Sequence, residues 1–396
     1  MLLNTWSLAL SLGSLLVVFM LTVAAGSAVR VLRYWNPASD DERQLSLENE
    51  IWLSSTLVAY ALAIQIISLV LLVLAADDFA GVITGAMCAT GTLQVNEFGL
   101  PALLVKLAGI FFYGFWLVLH RLDVSSERYP LVKIKYCYLL ALLPLVVVDI
   151  ALQSLYLLNI QPDVIVSCCA VVFSAGAGDG QFFLTLDGER LLPWFYGVIL
   201  LLMLLGGAVV WRLRTCLQEM SRRWFPSAAR RAASSESASA DTQVTVTGCG
   251  LLLPLVYGLI WLFFLPLALL VITTVLSSYI YAMPFHNCPF CILKPEYAYV
   301  GFAIYLTLLA AAFFALSVPL AGLLAGRFAA AGHGERKESE GEDFTVEEAA
   351  EDLRREGMIA PRFQYLALRL SLLLLLLFVL FSSFHFVRYL LMGGEV

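Results

Sequence analysis

Eight apolar runs, each long enough to cross a bilayer, limit what this chain can fold into more than anything else in its sequence. The hydrocarbon core of a membrane is about 30 Å thick and takes roughly 20 helical residues to cross. No water is available there to satisfy backbone N–H and C=O groups, so runs of this length must be helical. The runs lie at about 7–29, 51–75, 100–119, 136–158, 194–211, 249–280, 299–324 and 365–391. The expected fold is therefore all-α: a polytopic membrane helix bundle of about eight transmembrane helices, with residues 1–396 forming a single integral membrane domain. Composition agrees. Of the 396 residues, 61% are hydrophobic and 14% charged, against about 45–50% and about 25% in soluble domains. The net charge of −6 says little about partners, whereas the lack of a basic stripe that would suit a phosphate backbone argues against nucleic acid.

Charge in the loops predicts sidedness. Arg30 and Arg33 follow the first run and no positive charge precedes it, so it reads as an uncleaved helix rather than a signal peptide, despite the small residues at 24–28. Arg121, Arg128, Lys133 and Lys135 crowd the third loop, and Arg212, Arg214, Arg222, Arg223, Arg230 and Arg231 the fifth. Basic short loops mark the cytoplasmic side, which puts both termini on the outer, periplasmic side of a bacterial inner (plasma) membrane. Within the fifth loop, residues 232–245 read as a flexible cytoplasmic linker, because a Ser/Ala-rich tract cannot bury a core. The loop at 327–362 reads as cytoplasmic with one short acidic helix. That helix would open at a capping box formed by Thr345 and Glu348 and stop at Gly357.

This topology places Cys88, Cys168, Cys169, Cys288 and Cys291 in outward loops, and Cys137, Cys216 and Cys249 near inward ends. Outside is where disulfides persist. Cys168 and Cys169 are adjacent, with Cα atoms about 3.8 Å apart where a disulfide prefers about 5.5–6 Å. Each therefore suits a different partner, or both a metal. Cys288-Pro289-Phe290-Cys291 brings two sulfurs together on one turn, so that one thiolate can attack and the other resolve. The same spacing suits a soft metal. No histidine follows directly, which excludes c-type haem attachment.

The segment Cys288-Pro289-Phe290-Cys291-Ile292-Leu293-Lys294, read as running straight into a membrane helix, resembles the active-site segment of the disulfide bond formation protein B family. The resemblance covers about ten residues. It implies a cysteine pair close to a quinone, electrons arriving from a soluble thiol protein, and Lys294 standing where the family has arginine. The family has four helices and a second cysteine pair in a later loop. This chain has eight runs and no cysteine after Cys291.

Other residues join the candidate site. His286, two residues before Cys288, could act as a base or a metal ligand. Met87 offers a thioether beside Cys88, which suits Cu(I). His385 lies near the outer end of the eighth run. Asp149, with Gln153 and Tyr156 on the same helical face, is an ionisable group inside the membrane and needs a partner or a wet cavity. Lys106 is the evident cation at similar depth, and its long side chain could also snorkel toward the interface.

Three functions follow as expectations. The first is thiol–disulfide electron transfer at the periplasmic face by Cys288 and Cys291 with Cys168, Cys169 and Cys88, supported by His286, Lys294, Asp149 and His385. Its partner would be a periplasmic thiol protein and its cofactor a quinone. The second is binding, delivery or export of a soft, copper-like metal ion by Cys288, Cys291, Cys168, Cys169, His286 and Met87, with a metallochaperone as partner. The third is a structural membrane subunit with disulfide-tied loops.

Overall fold

The computed structural model describes residues 4–35, 42–126, 129–164, 166, 188–223, 250–283, 286, 288–338 and 355–392. Among them there is no strand, and eight helices are long and apolar enough to cross a membrane. These spans are, in order, Thr5–Tyr34, Gln44–Phe79, Gly99–Val124, Val132–Leu158, Arg190–Ser221, Leu252–Tyr281, Val300–Phe328 and Arg355–Leu391. Several helices overrun the apolar runs. The second starts at Glu42 and the seventh continues to Glu338, because each residue added to an existing helix gains a backbone hydrogen bond without a new nucleation cost. Arg327–Glu338, expected to begin a loop, is therefore helical. The capping box, most of the acidic helix and the linker at 232–245 lie outside the described residues; residues 355–357, at the helix's expected end, are helical and a turn follows at Met358.

The spans form two rings of four. In the first, spans one to four each pack on the next, and the fourth closes on the first; spans five to eight repeat the pattern. The rings meet where the third span crosses the seventh. Gly114 makes the approach possible: a Cβ there would stand 2.4 Å from the Phe313 ring. Phe115 stacks on Phe313 at 5.8 Å. At the end of the molecule that carries Arg121 and Lys135, called here the basic end, Val118, Leu119, Leu122 and Leu131 pack with Ala321, Leu324, Phe328 and Ala360. Ser126 Oγ donates to Glu356 Oε1 at 2.7 Å across the same junction.

The two rings have different interiors. The second is apolar and aromatic, with Phe195 stacked on Phe264 and Trp261 edge-on to Phe264. The first holds charge. Lys106 Nζ lies 2.9 Å from Asp149 Oδ1, both side chains fully buried. Lys106 also donates to Ser68 Oγ at 2.8 Å, and Asp149 Oδ2 accepts from Gln65 Nε2 at 2.9 Å and Tyr113 Oη at 3.0 Å. Lys106 does not snorkel, because Asp149 gives its ammonium a partner in the core. Gln153 turns instead to Ser14 Oγ at 2.9 Å. At the basic end Asp123 Oδ2 pairs with Lys135 Nζ at 2.7 Å while Oδ1 accepts the Leu131 N–H at 2.9 Å, closing the turn between the third and fourth spans.

The sixth span contains two prolines, Pro254 and Pro266. Pro254 falls in its first turn, where no helical N–H bond is lost. The irregularity lies beyond Pro266, as a π turn over Ile272–Leu276. Thr273, Thr274 and Ser277 each donate their hydroxyl to the carbonyl four residues back, which competes with the regular ladder. The span ends at Ala282, whose φ is 54°.

Breaking the buried pair should be costly. Lys106→Met leaves Asp149 charged and uncompensated, and should cost about 3–5 kcal/mol of stability. Lys106→Met combined with Asp149→Leu should cost less than the single change. Thermal unfolding of the purified variants in detergent reads the difference.

Candidate functional site: a buried three-sulfur cluster

The end opposite the basic one carries two cysteine loops. The loop between spans two and three holds a short helix, Ala89–Leu93, with Cys88 just before it. It is pinned to the first ring. Thr92 Oγ1 donates to Ala76 O at 2.7 Å, Tyr156 Oη to Thr92 O at 3.3 Å, and Asn96 Nδ2 to Tyr156 O at 3.1 Å. Gly99 is required where the loop re-enters the helix: a Cβ there would lie 2.3 Å from Leu93 O.

The loop between spans six and seven belongs to the second ring. Tyr281 Oη, at the end of the sixth span, donates to Cys288 O. Tyr305 Oη, on the seventh, donates to Pro289 O at 2.7 Å. These two phenols grip the Cys-Pro-Phe-Cys turn from both sides. The cysteine pair does not run directly into a membrane helix. A three-residue 3-10 turn, Cys291–Leu293, follows, then a second, Pro295–Tyr297, and the seventh span starts at Val300. Proline disfavours helical geometry in the residue before it, and Lys294, ahead of Pro295, is extended at φ −80°, ψ 156°. The start of a long helix is therefore not placed at Cys288.

The two loops meet through sulfur. Cys88 Sγ and Cys288 Sγ are 3.3 Å apart, and the sulfurs of Cys88, Cys288 and Cys291 all lie within 4.8 Å of one another. Cys288 is 0% exposed, Cys88 1% and Cys291 7%. Thr90 Oγ1 lies 3.4 Å from Cys288 Sγ. Lys294, from the second ring's loop, donates to Met87 O at 2.9 Å and stands 3.7 Å from Asp77 Oδ1. The Ala89 N–H, next to Cys88, faces Asp77 and favours its charged form. Lys294 thus acts as a strap, holding the Cys88 backbone over the Cys288 turn. Phe290 packs against the cores of both rings. Burial, and then the negative charge that Cys291 can carry, push the Tyr297 phenol above its ordinary range.

The remaining candidates are dispersed. His286 lies edge-on to Tyr281, ring centroids 4.6 Å apart, and is not among the ligand atoms gathered within 4.8 Å. The Met87 side chain is 69% exposed. His385 sits edge-on to Phe384 on the eighth span. Asp149 belongs to the ion pair inside the first ring. Cys168, Cys169 and Cys249 lie outside the described residues. Cys137 is exposed at the start of the fourth span. Cys216, which the charge pattern assigns to the reducing side, is disulfide-bonded, so cysteine pairing alone does not sort the two ends.

Sequence reasoning missed Thr90, Asp77, Tyr281 and Tyr305. Their signal was positional: a hydroxyl two residues after Cys88, a carboxylate closing the second span, and a tyrosine in each span that flanks the Cys-x-x-Cys loop. The chain matches no protein-family model, no curated protein and no solved structure.

The strap can be tested. Lys294→Met removes a charged hydrogen bond between the loops, a contact of about 1.5–3 kcal/mol. It should slow oxidative joining of Cys88 to Cys288 by about tenfold or more, with the thermal midpoint little changed. Peptide mapping of samples quenched during oxidation measures this rate.

Proposed function

We propose that this protein performs thiol–disulfide electron transfer at the end of the membrane bundle that carries the cysteine loops, with Cys288 as the shared sulfur. The observation behind this reading is the 3.3 Å separation of Cys88 and Cys288, with Cys291 in the same group. Cys288 has two alternative partners. A disulfide between Cys288 and Cys291 stays within one loop, whereas one between Cys288 and Cys88 joins two. Exchange between them begins and ends with one disulfide and one uncharged thiol, so charge is present in this buried site only while the attacking thiolate exists. The basic loops at the opposite end support an orientation in a bacterial plasma membrane with this end outside, where thiol partners are oxidised. A periplasmic dithiol protein would supply electrons. A quinone is the acceptor the local resemblance implies, and the aromatic residues beside the turn, Phe290, Tyr281 and Tyr297, suit a planar head group.

A soft metal ion is the second reading. Three sulfurs within 4.8 Å of one another form a donor set fit for Cu(I). In that case Cys88, Cys288 and Cys291 would hold the ion for delivery to a metallochaperone.

One set of samples separates the two. Membranes oxidised mildly, acid-quenched and alkylated should yield peptides linked through Cys288 to both Cys88 and Cys291. Cys288→Ser should abolish reduction of membrane quinone by added dithiothreitol, while Cys137→Ala should leave it intact. A stoichiometric soft metal in anaerobically purified protein, with all three thiols protected until a chelator is added, would overturn the redox reading in favour of the metal.

A further inference from the structure

The three sulfurs are closed to solvent, yet electron transfer with another protein requires one of them to be reached. The walls around them come from separate bodies: Cys88 and Thr90 from the first ring, Cys288 and Cys291 from the second. At this end the rings are held by the sulfur contact, the Thr90 hydroxyl, the Lys294 strap and Phe290. At the basic end they share an apolar cluster and the Ser126–Glu356 hydrogen bond. The junction is thus polar and sulfur-based where opening would expose the thiols, and tightly packed where a pivot would sit. The π turn at Ile272–Leu276 and the left-handed Ala282 lie just before the Cys288 loop, where such irregular turns can take up a change of angle.

We propose that the bond between Cys88 and Cys288 is a latch between the two four-helix rings, and that transfer of Cys288 to Cys291 releases it, opening this end about the basic-end pivot. This rests on the thiol-exchange reading. In the releasing step the Cys291 sulfur attacks Cys288, and the proton it gives up is the one that ends on Cys88, within 4.8 Å. The Cys288–Cys291 bond forms, the Cys88–Cys288 bond breaks, and Cys88 leaves with the electron pair and takes up a proton. No oxidant or reductant is consumed. The opened cleft admits an extended cysteine-bearing segment of a protein dithiol, and the latched form excludes it. Electron entry is thereby tied to the state of the cluster.

The test uses full-length protein in lipid nanodiscs, with keto-reactive spin labels on unnatural residues replacing exposed positions. Val82 and Tyr299 report the cysteine end, and Val124 and Leu252 the basic end. Oxidised Cys291→Ser holds the latched disulfide, and oxidised Cys88→Ser holds the released one. The 82–299 distance should lengthen by more than about 2 Å, the scale of a true rearrangement, from the first to the second, with the 124–252 distance unchanged. Reducing the Cys291→Ser sample should lengthen 82–299 within the same polypeptide, which removes any concern about misfolding. Superimposable 82–299 distances in all three states would overturn the latch. Peptide mapping of the same samples keeps this separate from the exchange reading: both disulfides formed with no distance change defeats the latch alone, and neither disulfide formed defeats both.

Discussion

A bilayer leaves a chain no choice about its backbone and little about its charges, and the rest of this molecule follows from that. Each span satisfies its own N–H and C=O groups, so irregular structure is confined to the ends. The charges kept inside, Lys106 and Asp149, survive because each has the other, with Ser68, Gln65 and Tyr113 completing the set. Chemistry-bearing residues then have to sit on loops, and the loops that matter are the ones two helix rings bring to the same end. The cluster is an inter-ring feature: Cys88 comes from the first ring, Cys288 and Cys291 from the second.

The number of spans was legible because hydropathy sets it directly; the helix ends were less so, since several helices run on past the apolar residues. The Lys106–Asp149 pairing was half legible, as two charges of opposite sign at similar depth. The grouping into two rings was not, since which apolar face meets which leaves no periodic trace along a chain whose spans are apolar nearly all round. The Cys-x-x-Cys turn was legible as a reactive motif, but its helix-start geometry was misjudged. Pro295 was the overlooked signal, because it forces Lys294 into an extended conformation and holds the helix off until Val300. Cys88 is the lone cysteine of its loop, and that loop returns over the second cysteine loop. Lys294 makes that return specific through the Met87 carbonyl, a main-chain acceptor that sequence cannot single out.

Burial gives the cluster its character. Sulfurs this enclosed cannot exchange with a passing protein as an exposed pair would, so the exchange proposed for them would depend on how the rings are held as much as on the cysteines. Thr90, Tyr281, Tyr305 and Lys294 all act on the geometry of that enclosure: one beside the Cys288 sulfur, two on the turn that carries it, and one across the loops.

The central claim is that sulfurs from the two rings meet. It is tested most directly by placing a protease site between Asn159 and Gly188 in the full-length chain, oxidising the membranes, cutting, and separating the products without reductant. The two rings should migrate as one covalent species that Cys88→Ser and Cys288→Ser both abolish, and that Cys291→Ser and Cys137→Ser both retain. Rings that separate after oxidation, or that stay joined in the absence of Cys88, would contradict it.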